Sequence, residues 1–177
     1  MTMHADRVVA AAETYIGLVE VGVGLIPGGG GTKEFTKRVS DSIEDGDVEL
    51  NSLQNALMNI ATAKVATSAQ EAREMGILRS FDQVSMNKDR QIADAKLAVL
   101  ELADAGYTMP QQARNIKVQG RSGLALFMAG LTGMRMGKYI SDHDMKVSMK
   151  IANIMCGGDL TSPQEVSEQY LLDLERE

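Results

Sequence analysis

The chain has 177 residues, 44% of them hydrophobic and 24% charged, with twelve methionines, no tryptophan and the single cysteine Cys156. A chain of this length buries roughly 70% of the surface its unfolded form exposes, so one core suffices without disulfides or metals. Eighteen Lys and Arg against 24 Asp and Glu, net charge -6, argue against nucleic acid as a partner, because backbone binding needs a basic footprint that releases counterions. No apolar run reaches the length of a membrane helix and no secretory leader follows Met1, which predicts a cytoplasmic protein with no membrane partner. His4, His143 and Cys156 show no paired ligand spacing, so no metal site is expected.

Taken in chain order, Arg7 to Ala12 is short, β-branched and apolar and reads as a buried strand, with a turn at Glu13-Thr14 and a second apolar run over Tyr15 to Val19. From Val21 to Gly31 the glycines predict a shaped loop. A helix opens at Gly31-Thr32, with Thr32 as N-cap and Glu34 in the first turn, and runs toward Ile43. Asp41 to Asp47 is a solvated connection. From Leu50, Leu53, Leu57 and Ile60 recur at helical spacing. Ser68 and Glu71 form a capping-box pattern closed by Gly76, and Ile77 to Val84 is strand or extended chain.

Asn87 caps a longer helix whose Ile92, Val99, Leu100 and Ala103 form one apolar stripe, ending at Gly106 ahead of a turn at Met109-Pro110. The last third is almost wholly helical, over Ser122 to Gly137, Ser141 to Cys156 and Ser162 to the end. Ser162-Pro163-Gln164-Glu165 is the strongest cap in the chain, with serine at the N-cap, proline first in the helix and glutamate third. The methionines are expected to fill the core.

Four glycines before a helix suggest a phosphate cradle, but Gly31-Thr32-Lys33 reverses the Gly-Lys-Thr order of a Walker loop, and a dinucleotide fingerprint on Gly22 and Gly24 places Pro27 where the third glycine belongs. A tight structural turn is the competing reading. Glu20 is the one carboxylate set among apolar residues on both sides, an environment in which desolvation favours general acid or base work near neutral pH; the alternative is a side chain pointing to solvent from an edge strand. Lys33 and Lys37, with Arg38 beside them, either meet the phosphates of a ligand or form a solvated face, and Lys146 and Lys150 repeat that choice. His143 between two aspartates is a proton carrier or a surface capping residue. Cys156 reads as a small core residue.

The stretch Tyr15-Ile-Gly-Leu-Val-Glu20-Val-Gly-Val-Gly-Leu-Ile-Pro-Gly-Gly-Gly-Gly-Thr32 resembles the region around the second catalytic glutamate of the crotonase, or enoyl-CoA hydratase/isomerase, superfamily. Thr67-Ser-Ala-Gln-Glu-Ala-Arg-Glu-Met-Gly-Ile-Leu78 is similar to a later helix and turn of that family. Leu18-Val19 replaces the family's common Gln-Pro. That departure, with Lys64 to Ala69, Ala105-Gly-Tyr107 and Val166 to Glu177, resembles the hydratase part of long bacterial proteins in which a 3-hydroxyacyl-CoA dehydrogenase precedes a crotonase domain.

The resemblance implies an α/β, partial crotonase-like fold with few short strands followed by a predominantly helical C-terminal region. Residues 1–177 would be a single incomplete domain, 1–85 the downstream part of its core and 86–177 the helical region. It implies part of an enoyl-CoA hydratase or isomerase of fatty-acid β-oxidation, acting on acyl-CoA thioesters. Glu20 would be the acid/base, and Gly24, Pro27 and Gly28 would lie on the substrate side. The oxyanion-hole amides and the first glutamate lie upstream in family order, so this chain alone is expected to be inactive. No cofactor is expected in the chain, NAD belonging only to a fused dehydrogenase, and the family points to homo-oligomers through the C-terminal helices. The competing class is a non-catalytic assembly or acyl-CoA-binding module.

Overall fold

A computed structural model describes residues 1–44 and 46–177. Its elements are β1 (Val9–Ala11), α1 (Gly31–Ser42), α2 (Glu49–Ala61), α3 (Ala69–Glu74), β2 (Gln83–Ser85), α4 (Gln91–Asp104), β3 (Ile116–Val118), α5 (Gly120–Met136), α6 (Asp142–Met155), β4 (Gln164–Val166) and α7 (Glu168–Arg176). The protein is α/β and mostly helical, with short strands. The chain divides into two compact units that interleave in sequence, Met1–Gly17 with Val65–Gln111, and Leu18–Lys64 with Gln112–Glu177.

In the first unit β1 and β2 pair in parallel, Val9 with Gln83 through Ala11 with Ser85. The Tyr15 to Val19 run contributes an isolated bridge, Ile16 with Ala66, rather than a strand. The expected extended piece from Ile77 is cut to Gln83–Ser85 because Asp82 intervenes. Its buried carboxylate accepts from the Val8 amide at 3.0 Å and the Arg79 amide at 2.7 Å. Burial alone would push this carboxyl up; the Arg79 guanidinium and the two amides outweigh it and hold Asp82 below its ordinary range.

Helix α3 is capped as the sequence predicts, Ser68 Oγ accepting from the Glu71 amide at 3.1 Å. The Glu71 carboxylate reaches the Thr67 amide, at 2.9 Å, one residue before the cap. Gly76 ends the segment at φ 78°. Asn87 caps a short 3-10 turn, Lys88–Arg90, ahead of α4.

The stripe read on α4 is the reverse of the face it buries. Gln91 donates to the Val9 carbonyl, Asp94 accepts from Ser85 Oγ, and Ala98 is buried. These residues stand at helical spacing, so small and polar groups meet the strand pair. Ile92 and Val99 are left 85% and 63% exposed.

In the second unit, α2 buries Leu53, Leu57 and Ile60, the three residues read at helical spacing, together with Ala56. It packs on α1 and α6, and α5 also packs on α6. Helix α6 presents Val147, Ile151 and Met155 to this core from a capping box of Ser141 and Asp144. Cys156 is fully buried and its thiol is pushed up to about 12 by that burial, as befits an inert core residue. The methionines divide: Met155 is core, whereas Met128 and Met136 are exposed.

The strongest sequence cap does not start a helix. Gln164 to Val166 instead pair antiparallel with Ile116 to Val118, and α7 begins after Ser167, whose Oγ accepts from the Tyr170 amide. Pro163 immediately precedes this strand, where its missing amide costs no ladder bond. The ribbon places Val166 against the buried Ile116, Val118 and Leu171. That gain rests on a pairing across nearly fifty residues, which local cap chemistry cannot reveal.

Candidate functional site

Glu20 lies in the second unit at the start of a 3-10 turn, Glu20–Val23, that closes with Gly24 in the left-handed region at φ 79°. The turn is held by hydrogen bonds from Gly22 to the Val19 carbonyl, from Gly24 to Val21 and from Leu25 to Glu20. Val21 is the buried anchor, and Val19, Val23 and Leu25 are exposed. Glu20 is half-buried, and its Oε2 is shielded from solvent with no hydrogen-bond partner. The turn therefore combines an unsatisfied carboxylate oxygen with a rim of apolar side chains open to solvent. Leaving such an oxygen unpaired costs about 1–3 kcal/mol, a cost that a donor brought by a ligand would remove.

The substrate-side residues read from the sequence fall in and after this turn. Gly24 and Glu20 share it. The Gly24 carbonyl is engaged by His143 Nε2 at 2.8 Å, and a Cβ on Gly24 would stand 2.9 Å from that nitrogen. Pro27 is fully buried, while Gly28 faces open space. His143 thus reaches from the first turn of α6 to a backbone carbonyl 119 residues away in sequence, while its side chain remains exposed.

The glycine run does lead to an anion, but one supplied by the chain itself. Gly30, at φ 77°, is the N-cap of α1 in place of Thr32. Its amide donates to Glu175 Oε1 at 2.7 Å and the Lys33 amide to Glu175 Oε2 at 3.3 Å. A carboxylate here satisfies the orphan amides and the positive end of the helix dipole. Thr32, read as the cap, is fully buried within the first turn, its hydroxyl without a partner.

Lys33, considered for ligand phosphates, is also buried, and its Nζ meets Glu34 and Glu168 at 3.0 Å each. Burial alone would lower the lysine, but hydrogen bonds to the two carboxylates outweigh it and hold the ammonium above its ordinary range. Lys37 pairs with Asp41. Nothing in local sequence marks Glu168 or Glu175 for these roles.

No family model matches the chain, and no solved structure does. Over 175 residues it is 44% identical to a protein of Bacillus subtilis (strain 168) named a probable 3-hydroxyacyl-CoA dehydrogenase. The match covers 99% of this chain and 22% of the relative, so the chain spans about a fifth of the relative's length. The expectation of an enoyl-CoA hydratase or isomerase is corrected by this finding. Nearly all of the chain matches a protein whose name gives a dehydrogenase and neither a hydratase nor an isomerase. No helix among the described residues is long and apolar enough to cross a membrane.

Proposed function

We propose that the chain is the acyl-thioester-facing segment of a protein acting on 3-hydroxyacyl-CoA, with Glu20 as its acid/base carboxylate. The observation that carries this reading is the solvent-shielded, unpartnered Glu20 Oε2 beside the exposed Val19, Val23 and Leu25. Oxidising a 3-hydroxyacyl group to the ketone takes a proton from the hydroxyl, so a carboxylate beside an apolar rim is suited to bind that hydroxyl and hold its proton. The resemblance of Glu20 to Thr32 to a crotonase-type turn supports an acyl-thioester site with a partial crotonase-like fold, and implies a substrate side formed by Gly24, Pro27 and Gly28.

The accompanying hydride must go to an acceptor such as NAD, and the described residues do not fit a dinucleotide. Pro27 stands where the third glycine is needed, and Glu175 already fills the helix terminus that would take the pyrophosphate. The reading therefore gives this chain the thioester and not the nicotinamide. Self-association through the C-terminal helices belongs to the same reading, since Leu126, Met128 and Met136 stand exposed on α5.

Adding 3-hydroxybutanoyl-CoA to the isotopically labelled chain should move the amide signals of residues 19–25 ahead of all others, and the Glu20→Gln chain should lose most of that response. Shifts confined to other segments, or equal in both chains, would contradict the assignment.

A further inference from the structure

We propose that His143 is a positioning residue for Glu20, acting through the Gly24 carbonyl; this deepens the reading of Glu20 given above and rests on it. A single 3-10 turn is poorly self-sustaining because its hydrogen bonds are less well aligned than those of an α-helix. The carbonyl of Gly24 lies just past the end of the Glu20–Val23 turn, and His143 Nε2 stands 2.8 Å from it. Gly24 also lets the ring come this close. Its left-handed φ favours glycine, and a Cβ there would stand 2.9 Å from Nε2, so the ring would have to shift.

The ring stands on a firm base. His143 follows the Ser141–Asp144 capping box, and the helix beyond it buries Ser148, Ile151 and Ala152 at the core. The Leu25 amide bonds back to the Glu20 carbonyl at 3.1 Å, so a tether at Gly24 restrains the residue that carries the carboxylate. A carbonyl only accepts, so the contact requires a proton on Nε2 and excludes the neutral form protonated on Nδ1 alone.

The test uses the full chain with 3-hydroxybutanoyl-CoA as probe, and the variants His143→Ala and His143→Gln, whose amide nitrogen can donate to the same carbonyl. Long-range nitrogen NMR should show Nε2 protonated. His143→Ala should shift the Glu20 carboxyl carbon and weaken thioester binding about fivefold, the worth of one net hydrogen bond, and His143→Gln should restore both. A ring protonated on Nδ1 alone, an unmoved Glu20 signal in the alanine variant, or a moved signal with unchanged affinity would each overturn the proposal. If the unmodified chain binds no thioester, the reading of the site fails instead, and the ring protonation and the Glu20 signal still decide the contact.

Discussion

Gly24 carries two separate demands, a left-handed backbone and room for an imidazole, and both act on one substitution. Gly24→Ala must adopt a conformation costing about 1–2 kcal/mol and also displace His143. Urea unfolding should show a loss of at least that size, and a neutral result would mean that the turn is not built this way. Thr32 makes the opposite prediction. Its hydroxyl is fully buried without a partner, so the near-isosteric Thr32→Val should raise stability by about 1 kcal/mol; a loss would mean that the hydroxyl is bonded in solution.

These two positions also mark what single residues disclose in the sequence. The glycines announced a backbone need, and Glu20 was visible because its neighbours are apolar. The ligands of those backbone groups were not legible, since His143 and Glu175 come from 119 and 145 residues away. Thr32 misled because threonine is a good N-cap by type, whereas Gly30 could take the left-handed conformation and leave its amide to Glu175.

Among the elements, α7 is tied to α1 by charge. Glu168 accepts from Lys33 Nζ and from the Ala113 amide at 2.9 Å, and Arg38 reaches Glu34 at 3.1 Å. Burial would raise the Glu34 and Glu168 carboxyls. For Glu34 the pairing with Lys33 and Arg38 outweighs it, and for Glu168 the Ala113 amide and Lys33 do. Both are therefore held below their ordinary range, and the unfolded chain takes up more protons as pH falls. This contribution is complete above the ordinary carboxylate range and is lost as pH falls through the depressed folded-state values. Lys33 works in the other sense, its share being lost only on the alkaline side of the usual lysine range. The urea midpoint should drop from pH 7 to pH 3, and drop less in Glu168→Gln; an equal drop in both would remove this network from the account.

The start of α7 offers a second check at this scale. Ser167→Ala should cost about 1 kcal/mol by loss of the N-cap, while Ser162→Ala, ahead of β4, should cost far less. The reverse order would restore the helix start read from the sequence. Helices with regular apolar spacing, such as α2, were legible nearly to their ends, because the buried face repeats locally. The β3–β4 ribbon was not, because three-residue strands carry almost no period and their pairing is long-range. The α4 stripe was legible as a pattern and misleading as a burial, since the helix meets its strands with Gln91, Asp94 and Ala98.

At the scale of the molecule, each unit is assembled from two separated stretches of chain, with breaks near residues 17, 64 and 111. No composition shift marks those breaks, so length and linkers alone do not disclose them. The mostly helical α/β class was legible. The activity was less so: a motif around one carboxylate defines a chemical environment, and many reactions of acyl thioesters use one. The 44% identity to a protein named a probable 3-hydroxyacyl-CoA dehydrogenase removed the support for hydration, and oxidation enters only through the proposal made for Glu20.

The account turns on Glu20 facing an acyl thioester, and one calorimetric titration tests it most directly. The chain and its Glu20→Gln variant are each titrated with 3-hydroxybutanoyl-CoA, with free coenzyme A as the control. The account predicts saturable heat for the thioester, weakened about tenfold or more in the variant, consistent with loss of a hydrogen bond to a charged group, and a weaker response to coenzyme A alone. No heat from the unmodified chain, or equal affinity in the two chains, would contradict it.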